Sequence, residues 1–599
     1  MTNLPPRWDL SNIYTSLADP KLAADQALIG QLTATLTASF EHELLPLASP
    51  GASPEALSAA LNQVADTLNH IFTLSGTLGA YLSGLVSTNS FDKAAAQALS
   101  AFHISLLPLR RLNIRLQKWL GSLGGRLDEA LALPGSAADN AFYFREQAEQ
   151  SRFMMSEAEE VLASELTLSG GTAWGELQGT LTSQKTVQFE LDGQLQTLTM
   201  PALINLRNHP DPLVRERAFR LECQTWEGMK EPLAACLNGV KGEVGTLEAR
   251  RGRADALESA LDSARIDRPT LEAMLSAIED SLPTFRAYFQ AKARFSGKDQ
   301  LAWWDLFAPL GSLEKTYTFD QAREIVLTQY ASFSPEMAEF ARGAFEKHWI
   351  DAEQRPGKRG GAFCMEIPGV QESRVLSNFD GSFEAVMTLA HELGHGFHNY
   401  CAFQAGKQPL QTQTPMTLAE TASIMCENIV SNALLRSASS REEELALLES
   451  SISGDAQVTV DILSRFLFER EVFARRAKGT LPAEEICEIM LEAQRQSYGE
   501  SLSELNPWAW TWKPHYYRPG LSFYNFPYAF GLLFGTGLYT IFEQRGQDFV
   551  PQYKALLAST GEAPAAELAA RFGIDIRSKG FWQDSLAQIG RKIARYQSL

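Results

Sequence analysis

The chain has 599 residues, of which 45% are hydrophobic and 21% charged, and its formal net charge at pH 7 is -18. This length allows a large buried core and predicts two lobes or one domain with large insertions. The negative charge disfavours nucleic acid and anionic membranes as partners and suits a cytoplasmic enzyme. The six cysteines include no CxxC pair, which argues against a disulfide framework and against a thiolate zinc site.

Neither a secretory signal nor a membrane span is predicted. Residues 1–10 lack the basic patch and apolar run of a signal, so we expect a cytoplasmic protein that is not exported. Two stretches, residues 68–90 and 527–542, contain no Asp, Glu, Lys or Arg and are candidate spans. The second is shorter than the roughly 20 residues that cross a bilayer, and the first is diluted by Ser, Thr, Asn and Gly. Both are predicted to be buried helices.

The pattern of apolar residues predicts a mainly helical chain with two short β elements. Residues 15–180 repeat apolar side chains at spacings of three and four, which predicts a helical N-terminal region. Around residues 186–200 the period changes to two, with Asp192-Gly193 at the centre, which predicts a hairpin. Helical patterning returns at residues 211–294. Glycine-rich turns then lead into two extended segments, residues 362–367 and 373–379, which border a helix predicted to start near Ser382.

That helix contains the sequence His391-Glu392-Leu393-Gly394-His395. Residues four apart lie on the same face of a helix, so both imidazoles can reach one metal ion at the roughly 2 Å distance that zinc requires. Glu392 is offset by about 100° around the helix, which places it beside the metal, where it can take a proton from a bound water. The motif therefore predicts a zinc peptidase site with Glu392 as its catalytic base.

A catalytic zinc site needs a third protein ligand and an open fourth position. The metzincin pattern requires Gly at position 398 and His at position 401, and is excluded because the chain has His398 and Cys401. A glutamate on a following helix is the other common solution, and the segment 416–429 offers Glu420 and Glu427. We expect Glu420 to be the ligand. Glu427, two turns further along the same face, is a candidate to accept a hydrogen bond from a ligating imidazole.

The motif through His398, followed 29 residues after His391 by Glu420, resembles the thimet oligopeptidase and oligoendopeptidase F family, and the oligoendopeptidase F branch fits better. Segments 304–309 and 358–363 are also similar to that family, and the similarity runs from about residue 200 to the C-terminus. The resemblance implies a mainly α, two-lobed, helical zincin-type metallopeptidase with a small β element beside the metal-binding helix. It also implies a deep channel that admits short peptides. We predict a helical N-terminal region, residues 1–195, and a catalytic region, residues 196–599.

The segment 512–531 is rich in aromatic residues and resembles the part of the family that supplies a histidine and tyrosine hydroxyls to the transition state. Tyr528 fits that role best, followed by Tyr524 and His515. The alternative is that the cluster serves only packing, which is the commoner role of aromatic residues. His398 also has two open interpretations: a residue near the metal ligands or substrate, or a hydrogen-bonded core histidine.

The predicted reaction is hydrolysis of internal bonds in short peptides by a single Zn²⁺, which acidifies a water while Glu392 accepts the proton. The strand at 362–367 is expected to pair with the substrate backbone. One alternative is a related zinc carboxypeptidase or dipeptidase, and another is a catalytically silent helical binding protein. Short peptides are the only partners predicted. The sequence indicates neither the oligomeric state nor the cleavage preference.

Overall fold

The computed structural model describes residues 4–311 and 315–599. Residues 1–3, which begin the segment considered as a secretory signal, lie outside that description, as do residues 312–314. Helices account for 70% of the chain and strands for 4%, which confirms the predicted mainly α fold with a small β component.

The chain forms two compact units, each assembled from three separate segments. The first unit comprises Met1–Met154, Lys315–Ala433 and Ile541–Gly573, and the second comprises Met155–Glu314, Leu434–Thr540 and Ile574–Leu599. The predicted division into residues 1–195 and 196–599 is a different partition and stays a prediction.

Helices fill the N-terminal region, as predicted. Several begin at a side chain that caps the first turn: Asp19, Ser53 and Asp92 each accept a hydrogen bond from a backbone N–H at the helix start. The α-helices are α1 (Pro20–Ser39), α2 (Leu45–Leu47), α3 (Pro54–Thr88), α4 (Lys93–Ser105), α5 (Leu107–Leu123), α6 (Gly125–Leu131), α7 (Ser136–Asp139), α8 (Ala141–Gln150), α9 (Glu157–Ser169) and α10 (Gly171–Gln184).

The core of the first unit lies around α3. Its buried side chains Leu57, Leu61, Leu68, Ile71 and Leu78 recur at helical spacing, so one face of α3 is covered by neighbouring helices. The stretch 68–90 lies in α3 up to Thr88, as expected for a helix. In the part of the chain that the structure describes, no helix is both long and apolar enough to cross a membrane.

The predicted hairpin is confirmed. Strands β1 (Thr186–Leu191) and β2 (Gln194–Thr199) pair antiparallel, with Leu191 opposite Gln194. The two turn residues, Asp192 and Gly193, have φ angles of 52° and 74°. These left-handed conformations are the reason for the Asp-Gly pair, because few other residues adopt them without strain.

Helices continue after the hairpin as α11 (Met200–Asn205), α12 (Pro212–Glu227), α13 (Lys230–Arg250), α14 (Ala256–Ala264), α15 (Arg268–Phe295), α16 (Phe319–Phe333) and α17 (Pro335–Glu346). Three short strands follow: β3 (Ile350–Asp351), β4 (Phe363–Ile367) and β5 (Glu372–Leu376). Their order is β3-β5-β4, with β5 parallel to β3 and antiparallel to β4. Strand β4 therefore lies at an edge of this sheet, and the two predicted extended segments are confirmed.

The sheet precedes the helix that carries the predicted metal ligands. The remaining helices are α18 (Phe383–Gln404), α19 (Met416–Ala419), α20 (Thr421–Arg436), α21 (Arg441–Ala456), α22 (Ile462–Arg476), α23 (Ala483–Tyr498), α24 (Phe526–Arg545), α25 (Val550–Ala558), α26 (Ala565–Arg571) and α27 (Lys579–Ser598). Ser382 caps α18 by accepting a hydrogen bond from the Ala385 N–H, so this helix starts where the sequence predicts. The sheet is joined to α18 by a hydrogen bond from Asn399 Nδ2 to Ser373 Oγ, 3.0 Å long.

Candidate metal centre

Helix α18 places His391 and His395 one above the other. Their Nε2 atoms are 3.1 Å apart, and the rings meet edge to face with centroids 4.8 Å apart. This is the arrangement expected for histidines four residues apart on one helix face. The helix is fixed by a buried neighbour on α16, because Tyr330 Oη donates a 2.6 Å hydrogen bond to the Ala390 carbonyl.

Glu420 completes a group of three side chains that could hold a metal ion. It lies at the break between α19 and α20, and its Oε2 is 3.2 Å from His391 Nε2 and 3.5 Å from His395 Nε2. One ligand atom from each of the three residues lies within 4.8 Å of the other two. Two imidazole nitrogens and one carboxylate oxygen are the donor set of many catalytic zinc sites, so these residues fit a zinc ion. Ser423 Oγ holds the carboxylate with a 2.7 Å hydrogen bond.

The close approach of α18 to α20 depends on Gly394. A Cβ added there would lie 2.7 Å from Ser423 Cα and 2.9 Å from the Ala422 carbonyl oxygen. Both are backbone atoms, so they cannot move aside as a flexible side chain could. Gly394 therefore allows the backbone carrying Glu420 to come near the two histidines.

Glu427 contacts the other nitrogen of His391. Its Oε1 forms a short hydrogen bond with His391 Nδ1, which is the contact predicted between Glu427 and an imidazole. A proton held at Nδ1 leaves the Nε2 lone pair free for a metal ion. The sequence predicted both glutamates as candidates, and the structure places Glu420 at Nε2 and Glu427 at Nδ1.

The carboxylates and imidazoles perturb one another's pKa values. Burial lowers the pKa of His391, but hydrogen bonds to Glu420 and Glu427 outweigh burial and raise it well above its ordinary value. Burial raises the pKa of Glu420, but the hydrogen bond from His391 and the charge of both histidines lower it to about 2. Burial, followed by the charge of His391, lowers the pKa of His395 to about 4. The group therefore favours an ionised Glu420, which is the form that binds metals.

Glu392 is nearly inaccessible and lacks a protein partner at one oxygen. The residue is 6% exposed, and within the described residues its buried Oε2 forms no hydrogen bond. Burial raises its pKa to about 7, despite the opposing charge of His391. A carboxyl group with this pKa can accept and release a proton near neutral pH, which is the property that a general base needs.

His398 is not among the three candidate ligands, but it lies near His395 and Glu420. It is buried, and its Nε2 forms a 2.8 Å hydrogen bond with Thr560 Oγ1. Burial lowers its pKa to about 4, so the imidazole is neutral. The structure combines the two interpretations that the sequence left open: His398 is buried and hydrogen-bonded, and it also lies near the candidate metal ligands.

The aromatic candidates form a cluster of their own in the second unit. The hydroxyls of Tyr524 and Tyr528 are hydrogen-bonded to each other, and the ring centroids of His515 and Tyr524 are 5.6 Å apart. Asn525 Nδ2 donates a 2.8 Å hydrogen bond to His515 Nε2. Burial, and then the charges of Arg465 and Lys513, lower the pKa of His515 to about 2, so its imidazole is neutral.

Sequence analysis missed two polar residues beside His515. Asn525 contacts the imidazole directly, and Arg465 Nη1 donates a 3.2 Å hydrogen bond to Asn525 Oδ1. Asn525 lies inside the aromatic segment and was available as a candidate. Arg465 is on α22, and no motif in the sequence links it to that segment.

Sequence and structure comparisons give consistent matches to known proteins. The model of "Peptidase family M3" matches residues 205–588. The chain is 26% identical over 419 residues to an oligoendopeptidase F homolog of Lactococcus lactis subsp. lactis, a match that covers 69% of this chain and 68% of the relative. The fold resembles that of a protein from Chlamydophila abortus, with a TM-score of 0.85, 21% identity, and coverage of 99% of this chain and 98% of the other. It also resembles oligoendopeptidase-F from Enterococcus faecium, with a TM-score of 0.65, 15% identity, and coverage of 96% and 98%.

Proposed function

The chain belongs to peptidase family M3 and is a metalloendopeptidase of oligopeptides, and we propose that its metal is one zinc ion held by His391, His395 and Glu420. The observation that carries this proposal is the meeting of those three ligand atoms within 4.8 Å of one another. When bound, a zinc ion supplies Lewis acidity, which lowers the pKa of water and polarises a carbonyl group.

Glu392 is proposed as the general base. Its buried Oε2 has no hydrogen-bond partner among the described residues, so this oxygen keeps its capacity to accept a hydrogen bond or a proton. With a pKa of about 7, the carboxylate can accept a proton from the attacking water and then release it to the leaving amine. One residue thus serves as base in the first step and as acid in the second.

Tyr528 is proposed to donate a hydrogen bond to the oxyanion that develops on the scissile carbonyl, assisted by Tyr524 and His515. The support for this is the resemblance of the segment to the family and the hydrogen bonding of the two hydroxyls to each other. A neutral His515 could donate only from Nδ1, because Asn525 occupies Nε2.

The remaining proposals concern organisation and surroundings. The family match at residues 205–588 falls within the proposed catalytic region, residues 196–599, and leaves the proposed N-terminal region, residues 1–195, outside it.

Strand β4 is proposed to pair with substrate backbone, since it lies at a sheet edge. A cytoplasmic location is proposed because all six cysteines are free thiols.

The test is cleavage of a short, internally quenched peptide with both ends blocked, using wild type, Glu392→Gln and Glu384→Gln. Glu384 is an exposed residue in the first turn of the same helix and serves as the matched control. We expect Glu392→Gln to lose activity by a factor on the order of 10² or more while keeping one zinc per chain, and Glu384→Gln to match wild type.

The same assay separates the alternatives. An enzyme that needs a free terminus, such as a carboxypeptidase or dipeptidase, would leave the blocked peptide intact but cut the unblocked one. A binding protein without activity would cut neither. Equal activity in wild type and Glu392→Gln would contradict the assignment of the base.

A further inference from the structure

The second unit contains a small, charged cavity that the proposed mechanism does not use. It is enclosed by α12, α22, α23 and the loops around residues 303–307 and 506–516. The space that water molecules can occupy inside it is about 40 Å³, which is room for roughly three waters. A peptide or a nucleotide is too large for this space.

Several hydrogen-bond donors in the cavity wall have no acceptor within the protein. Within the described residues, five atoms of lining side chains are buried and have no hydrogen-bond partner: Arg207 Nε, Arg215 Nε, Arg465 Nε, Trp512 Nε1 and Tyr516 Oη. Four of these atoms can only donate, and the tyrosine hydroxyl can also donate. Tyr516 is fully buried, at 0% exposure, so bulk water cannot satisfy its hydroxyl. Buried donors of this kind require an acceptor that the protein itself does not supply.

The charged side chains of the wall leave an excess of positive charge. Four of them are basic, Arg207, Arg215, Arg465 and Lys513, and two are acidic, Glu222 and Asp461. Arg215 forms a buried salt bridge with Asp305, which lies outside the wall. Asp461 forms a salt bridge with Arg465. Burial brings the pKa of both Glu222 and Lys513 to about 7, so each is in part uncharged and they largely offset each other. The excess of positive charge therefore comes from Arg207, for which no salt bridge is found among the described residues.

Two of the basic groups pack against aromatic rings. The Arg207 guanidinium lies 4.1 Å from the centre of the Phe307 ring, and Lys513 Nζ lies 4.0 Å from the centre of the Trp512 ring. Burial, together with the charge of Arg465, lowers the pKa of Lys513 to about 7. Burial therefore disfavours the charged forms of Arg207 and Lys513, and a bound anion would offset this cost.

We propose that this cavity binds one small monovalent anion of halide size, coordinated by the Tyr516 hydroxyl and the Arg207 and Arg465 guanidinium groups. Such an ion supplies negative charge and accepts several hydrogen bonds at once, whereas water brings no charge. Arg465 also donates to Asn525, which donates to His515, so the ion would lie near a proposed catalytic residue.

The test uses crystals of the full chain grown without halide and then soaked in sodium bromide, with anomalous scattering measured at the bromine edge. We expect one bromide peak in the cavity, in contact with Tyr516. The competing occupant is water, and ordered density in the cavity without an anomalous peak would overturn the proposal.

Affinity is measured as the bromide concentration equal to the dissociation constant Kd, obtained by fitting the rise in melting temperature to ln(1 + [bromide]/Kd), with sodium gluconate keeping the ionic strength constant. Tyr516→Phe removes one donor and should raise that concentration about tenfold. Tyr517→Phe is the matched control, because that neighbouring hydroxyl donates to the Trp510 carbonyl and does not line the cavity. Arg207→Gln provides a second variant if Tyr516→Phe does not fold. Equal bromide dependence in wild type and in the cavity variants would contradict the site.

Discussion

Glu427 shows how one residue outside the proposed ligand set can determine the state of the metal site. Its hydrogen bond to His391 Nδ1 would keep a proton at that nitrogen when a metal replaces the proton at Nε2, which lies near Glu420 and His395. Carboxylates that hold a ligating histidine in this way strengthen metal binding without touching the ion.

We therefore expect Glu427→Gln to weaken zinc binding by about 10- to 100-fold while leaving the fold intact. Affinity would be measured by competition with a chromophoric chelator. Glu384→Gln, on the first turn of α18, is the control and should bind zinc like wild type. An unchanged zinc affinity in Glu427→Gln would show that zinc binding by His391 does not require this hydrogen bond.

The sequence predicted the two histidines more firmly than the third ligand, and the reason is physical. His391 and His395 lie within one helical turn, so local geometry alone determines their relation. Glu420 and Glu427 are seven residues apart and project from the same side of a helical pattern. Their roles differ because the helix breaks at Glu420, between α19 and α20. The break is not visible in the apolar periodicity.

The partner of His398 was beyond sequence analysis for a similar reason. Thr560 lies 162 residues further along the chain, and no spacing rule connects the two. Long-range hydrogen bonds of this kind depend on tertiary packing, whereas patterns of three, four and seven residues report only on a single helix.

At the scale of elements, α18 approaches the backbone of α20 closely at Gly394. We expect Gly394→Ala to destabilise the protein by about 1–3 kcal/mol and to lower zinc content, because its Cβ would press against the backbone of Ser423 and Ala422. The measurements are melting temperature and bound zinc.

Gly454 provides a matched control for this substitution. It is exposed on α21, and a Cβ there would meet nothing within 4 Å. Gly454→Ala should therefore be neutral or stabilise by about 0.5–1 kcal/mol, since alanine favours helices. Equal effects of the two substitutions would mean that helix propensity, and not close packing, controls the result at Gly394.

A buried ion cluster anchors the small sheet. Asp351, on β3, accepts hydrogen bonds from Arg355 Nη1 at 2.7 Å and Nη2 at 2.9 Å, and Lys358 Nζ lies 2.8 Å from its carboxylate. Lys358 also donates to the carbonyls of Asp351, Glu353 and Ser377. The segment 358–363 resembled the family, and this network gives its first residue a structural role.

We expect Asp351→Asn to destabilise the protein by about 3–5 kcal/mol at neutral pH, because it leaves a buried lysine without its counter-charge. Burial raises the pKa of Asp351, but hydrogen bonds from Arg355 and Lys358 outweigh burial and hold it below its ordinary 3.8. The carboxylate therefore contributes stability above pH 3.8, and this contribution is lost as the pH falls through the lowered pKa. Melting temperatures of wild type and variant should converge in acid, and a gap independent of pH would contradict the role of the charge.

At the scale of the whole molecule, the two units are assembled from segments that are distant in sequence. For example, Asn69 Nδ2 of α3 donates a 2.6 Å hydrogen bond to Gln408 Oε1, 339 residues away. Local periodicity changes near the hairpin and again before Ser382, and the boundary predicted at residue 195 lies at the first of these changes. It cannot indicate that the chain leaves a unit and later returns to it, because that depends on contacts between distant segments.

The metal centre is held by protein contacts that do not involve a metal. Glu427 orients His391, Ser423 orients Glu420, and Tyr330 binds the backbone of α18. The first unit also has an extensive apolar core around α3. A large core of this kind stabilises a fold without a metal, in contrast to small zinc domains that unfold when the ion is removed.

Removal of the metal by a chelator should therefore abolish peptide cleavage while leaving the helical circular dichroism spectrum unchanged. The free enzyme should lose only the stability that binding adds, about 2.7 kcal/mol when free zinc is 100 times its dissociation constant. Activity should return on addition of one equivalent of zinc, and Glu392→Gln should bind that zinc without regaining activity. Loss of helical signal on chelation would contradict the prediction, because it would mean that the metal helps to stabilise the fold as well as to perform the reaction.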